Sequence, residues 1–79
     1  MSPTVFRYKG YRFFFFSREE ERMHVHVYSG QGEAKFWLQP NVSLAQRYSL
    51  SDKEVGELQR IVEDRRDEIE KSWRKHFRD

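Results

Sequence analysis

The hydrophobic pattern of this chain changes period once, near Ser51, and that switch limits the fold more than any other feature. Before Ser51 the apolar side chains recur every second residue, as on strands; after it they recur every three to four, as on a helix. Residues 4–8 are β-branched and aromatic, which suits a pleated, half-buried surface. Lys9-Gly10 is a two-residue turn, and residues 11–16 form the next strand. Residues 24–28, His-Val-His-Val-Tyr, alternate strictly. Ser29-Gly30-Gln31-Gly32 is a glycine-rich hairpin turn, and residues 33–38 alternate again until Pro40. Residues 41–49 are a connector in which 42–44 add at most a short edge strand. The expectation is an α+β fold: a four-stranded antiparallel β-meander over residues 4–44, packed against one long C-terminal helix over 52–78, in a single domain of residues 1–79.

The helix has a start signal. Ser51 is the expected N-cap, and Glu54 three residues on completes a capping box. Val55, Leu58, Val62, Ile69, Trp73 and Phe77 fall on one face, with Ile61 at its margin. Acidic residues open the helix and basic ones close it, matching its dipole. Asp67 to Lys71 and Glu70 to Arg74 are i,i+4 pairs. A straight helix of this length is about 40 Å long, more than four strands can cover, so its C-terminal part is expected to overhang and meet another molecule.

The chain has 79 residues, of which 35% are charged and 37% hydrophobic. That balance alone suits disorder, but seven Phe, four Tyr and two Trp supply a core that disordered chains lack. So small a domain buries a modest share of its surface, and a partner or a second copy would add to it. With no cysteine, disulfides and thiolate metal sites are excluded, in keeping with a cytoplasmic protein. The longest apolar run, residues 13–16, is far too short to span a membrane. The opening Met1-Ser2-Pro3-Thr4 carries no basic or long apolar stretch, so no secretory signal is expected. A net charge of +2 permits nucleic-acid binding without demanding it.

Alternation sorts the strand residues onto two faces. Val25, Val27, Ala34, Phe36 and Leu38 are expected under the helix, with Tyr11, Phe13 and Phe15. The opposite face then holds His24, His26, Tyr28, Glu33, Lys35 and Trp37, joined by Arg12, Phe14 and Phe16. A solvated sheet face is normally more polar; one this aromatic marks an interaction site.

The strings Gly-Tyr-Arg-Phe-Phe-Phe-Phe-Ser from Gly10, His-Val-His-Val from His24 and Gly-Glu-Ala-Lys-Phe-Trp-Leu from Gly32 precede a charged helix ending in Trp73 and Phe77. Together they resemble the bacterial "domain of unknown function forty-one-sixty" proteins over nearly the whole chain. Met23 departs from the family's usual proline before the first histidine. The family establishes no catalytic residues. Its genes often sit beside a second small gene, which implies a two-gene toxin–antitoxin-like module.

Three chemistries fit the histidine face. As general acid and base, His24 and His26 suit a metal-independent ribonuclease, with Arg12 and Lys35 on the phosphate. As a platform, Tyr28, Trp37, Phe14 and Phe16 suit RNA bases or a protein partner. As metal ligands, His24 and His26 need a third donor, for which Glu33 and Glu21 are the candidates. The leading expectation is the RNA-directed, toxin-like member of the module, catalytic through His24, His26, Arg12 and Lys35, and held by a small cognate protein. A non-catalytic protein-interaction module comes second and a metal-binding protein third. No cofactor, metal or membrane is expected; a homodimer is a further option. Arg65 and Arg66 fall on the apolar arc of the helix, where snorkelling is favoured over a phosphate or carboxylate fork.

Overall fold

The structure, a computed structural model, describes residues 4–16 and 22–77. Five strands follow one another: β1 (Thr4–Tyr8), β2 (Tyr11–Phe14), β3 (His24–Tyr28), β4 (Glu33–Trp37) and β5 (Ser43–Tyr48). They pair antiparallel in sequence order, each with the next. Two helices follow, α1 (Asp52–Asp64) and α2 (Arg66–Phe77). The run Arg18 to Glu21, including the proposed ligand Glu21, and Arg78 lie outside the described residues.

Local chemistry sets the turns. Lys9 and Gly10 both take positive φ, 47° and 81°, as a type I′ hairpin turn requires. At the next turn the Ser29 hydroxyl accepts the Gln31 and Gly32 amides at 3.2 and 3.3 Å. Gly32 is buried under the chain that leaves β5: a Cβ there would overlap the carbonyl oxygens of Tyr48 and Ser49. Ser51 caps α1, with its hydroxyl accepting the Glu54 amide and the Glu54 carboxylate accepting the Ser51 amide.

The core lies between one sheet face and the helices. Phe13, Phe15, Val25, Val27, Ala34, Phe36 and Leu38 meet Val55, Leu58, Val62, Ile69 and Trp73. The expected division of the strands into faces therefore holds, and Ile61 and Phe77 pack at the margin as partly buried residues.

Two expectations are corrected. The sheet has five strands, not four, because residues 43–48 form a full edge strand. All but Ala45 of its residues are exposed, so it carries no alternation to betray it. The single long helix is two. At Arg65 the backbone leaves helical geometry, with φ −110° and ψ 20°. No apolar residue stands between Val62 and Ile69, so a straight helix would have nothing to bury there. A helix of about 40 Å would also exceed the longest extent of the molecule, 37 Å. The break lets Trp73 and Phe77 close on Phe15, at centroid distances of 5.3 and 6.0 Å, in place of an overhang.

The two arginines at the break are structural. Arg65 forks onto Glu68 at 2.9 and 3.1 Å and lies 3.6 Å from the Phe6 ring centroid. Arg66 joins Glu70, at 2.8 Å, to the Pro40 carbonyl, at 3.1 Å, and Arg74 reaches Glu70 at 3.2 Å.

Candidate functional site

The face of the sheet turned away from the helices is built in rows across the strands. Arg7 stands opposite Arg12, Arg12 opposite Tyr28, Tyr28 opposite Glu33, and Glu33 opposite Tyr48. The next row is Phe14, His26, Lys35 and Gln46. The third joins His24, Trp37 and Ser43. Residues directly opposite on antiparallel strands share a side of the sheet, so seven of the eight sequence-predicted residues share this side, and Phe16, beyond the end of β2, joins them through its ring contacts with Phe14 and His26.

Within it the cations sit on aromatic rings. The Arg12 guanidinium is 4.6 Å from the Phe14 centroid, and its Nε donates to Thr4 Oγ1 at 2.6 Å. Lys35 Nζ and the Arg22 guanidinium lie 4.5 and 4.1 Å from the Trp37 centroid. Arg22 also donates twice to the Gln39 carbonyl, at 3.3 and 3.1 Å. Such contacts hold the charges in place while leaving their fields directed outward. The rows and ring contacts place Arg7, Arg12, Arg22, Lys35 and Glu33 on this side.

The two histidines differ. His26 is half-buried, stacked 5.5 Å from Phe14 and met edge-on by Phe16 at 4.4 Å. His24 is 0% exposed. Its ring is packed by Trp73 from α2 at 5.2 Å, Trp37 at 5.6 Å and His26 at 5.0 Å. Its Nδ1 lies 2.7 Å from the Arg22 carbonyl, and since a carbonyl only accepts, that nitrogen carries a proton. The pair therefore does not present two imidazoles to a substrate: His24 is sealed against Trp73, and the half-buried ring of His26 keeps its Nε2 buried as well.

The predicted binding residues divide likewise. Phe16 and Tyr28 are exposed, Trp37 is half-buried and Phe14 is buried, as floor. Glu33 stands in the row beyond His26, and among the described residues no group of three or more His, Cys, Asp or Glu gathers to hold a metal ion.

Arg22, Gln46 and Tyr48 belong to the face and escaped the sequence reading. Arg22 continues the period-two series of 24, 26 and 28, a signal that was available. Tyr48, at 71% the most exposed large apolar residue described, and Gln46 were hidden with β5. They line a groove of about 460 Å³ with His26, Glu33 and Lys35. No helix among the described residues is long and apolar enough to cross a membrane.

No match to the chain was found among curated proteins or among solved structures. The profile of the family described as Domain of unknown function (DUF4160) matches residues 10–74, spanning the second strand through the histidine strand to Trp73 on α2. The chain belongs to this family.

Proposed function

We propose that this domain is the binding member of a two-gene toxin–antitoxin-like module and holds a small acidic protein on its open sheet face. One observation carries the proposal: cations are seated on aromatic rings on this face, while one histidine of the expected acid–base pair is sealed beneath it. Tyr, Trp, Phe and Arg are the residues that protein interfaces concentrate at their cores. A net charge of +2 favours a protein over a polyanion as the principal partner. The cysteine-free sequence suits a cytoplasmic setting.

The RNA-directed, toxin-like role draws on the same face, through Arg12, His26 and Lys35 in two adjacent rows. With His24 sealed and the Nε2 of His26 buried as well, a metal-independent ribonuclease would need a rearrangement of this face or other groups as its proton carriers.

The test is co-expression with the product of the adjacent small gene. The wild-type chain should co-purify with it, and Arg12→Glu with Lys35→Glu should abolish recovery while the melting temperature is kept. Total RNA from cells expressing the chain alone should stay intact. Recovery that ignores both charge reversals, or RNA fragments that vanish with His26→Ala, would replace this proposal with the nuclease.

A further inference from the structure

Resting on that proposal, we infer that the partner's contact segment is an extended, acidic strand that adds to the sheet at the free edge of β5, along residues 46–48. β5 is the outermost strand of the described sheet, so one side of its backbone has no neighbouring strand. Unpaired edges recruit strands, and proteins usually protect them. The other edge strand is tied to the helices by its side chains: the Arg65 guanidinium covers Phe6 on β1, and Glu57 accepts from Tyr8 and Lys9 beside it. β5 carries one such contact in its outer half, from Arg47 to Asp52 at the start of α1, and Arg47 makes it from the core side, opposite buried Ala34.

The exposed apolar residues point to the same edge. Of the four large hydrophobics exposed among the described residues, Leu44 and Tyr48 lie on β5. They point to opposite sides of the sheet, since Leu44 pairs with buried Phe36 and Tyr48 with Glu33 on the open face. A partner resting on the open face covers Tyr48 and leaves Leu44 wet; a strand laid beside β5 covers both. The register of β4 and β5 slips at Ala45 and is regular again at residues 46–48, so the ladder extends from there.

Charge selects the occupant. The groove runs from Lys35 on β4 to Gln46 and Tyr48 at the edge. A strand added beyond β5 lies about 10 Å from β4, two strand spacings, which a glutamate and a lysine together can bridge. The β5 sequence, Ser-Leu-Ala-Gln-Arg-Tyr, holds an arginine and no carboxylate, so a second copy of the chain brings no complementary charge to this edge. RNA has no backbone amides to continue the ladder. The fitting occupant alternates carboxylates toward Lys35 with apolar side chains toward Leu44.

The probe is a short synthetic peptide of alternating Glu and Val, titrated into the isotope-labelled full chain and followed by amide hydrogen exchange. Binding should protect alternate amides within residues 46–48. Lys35→Glu, and independently Gln46→Glu, should weaken affinity about tenfold, equivalent to about 1.4 kcal/mol. A peptide with proline at its centre should not bind. The inference is overturned if the peptide fails to bind, if the proline peptide binds as well, if β5 amides stay unprotected, or if a uridine oligonucleotide binds more tightly through the same residues. The two proposals fail separately. A partner held through Arg12 and Lys35 with unprotected β5 amides removes the strand and keeps the binding face. Protected β5 amides with no partner captured do the reverse.

Discussion

His24 and His26 leave the same side of β3, yet α2 brings Trp73 around the start of that strand and covers only His24. Their substitutions should therefore separate. His24→Ala removes a packed ring and the donor to the Arg22 carbonyl and should cost about 1–3 kcal/mol in urea unfolding. His26→Ala, at a half-buried surface ring, should stay within about 1 kcal/mol. Equal losses would mean that the two rings share one environment. Gly32 makes a second residue-scale prediction. Its methyl group would press on two backbone carbonyls, which cannot yield as a side chain can. Gly32→Ala should cost about 1–3 kcal/mol, and an unchanged unfolding midpoint would mean the β3–β4 turn sits away from Tyr48 and Ser49.

At the scale of elements, four strands and the start of α1 were legible because each rests on local chemistry: alternation, a turn dipeptide, a cap. β5 was legible only as a short edge strand over 42–44, since an edge strand wetted on both sides has no reason to alternate. The break at Arg65 was legible only as a gap in the apolar series from Val62 to Ile69. The helical hydrogen bond from the Ile69 amide to the Arg65 carbonyl passes through it, at 3.0 Å. The capping box yields a sharper expectation. Ser51→Ala should cost about 1 kcal/mol. The Glu54 carboxylate is held below its usual value, first by the Ser51 amide and then by the Ser51 hydroxyl. Its native value lies below the unfolded value of 4.5, so its contribution is present above pH 4.5 and is lost as the pH falls through the lowered native value. Thermal unfolding from neutral to acid pH should show this loss in the wild type and less of it in Glu54→Gln. Parallel pH profiles would mean that the carboxylate does not cap the helix.

For the whole molecule, the composition of the open face could be read from period two alone, because register carries Arg12, His26 and Lys35 to one side whatever the loops do. What could not be read was the sealing of His24, a contact made across the chain by Trp73, or the groove made by β5. These long-range events set the two histidines apart, and the proposed binding surface rests on that difference. The chain carries its own reporters of that claim, since its two tryptophans differ in setting: Trp37 is half-buried on the open face beneath Lys35 and Arg22, and Trp73 is buried in the core, reaching the face only through His24. The most direct measurement is a titration of the isotope-labelled chain with the proposed cognate protein, following the two indole N–H resonances. The Trp37 signal should shift or broaden as complex forms, the Trp73 signal should hold its position, and Lys35→Glu should suppress the change. Movement of Trp73 with Trp37 unaffected, or a complex that leaves both signals in place, would contradict an open sheet face that binds.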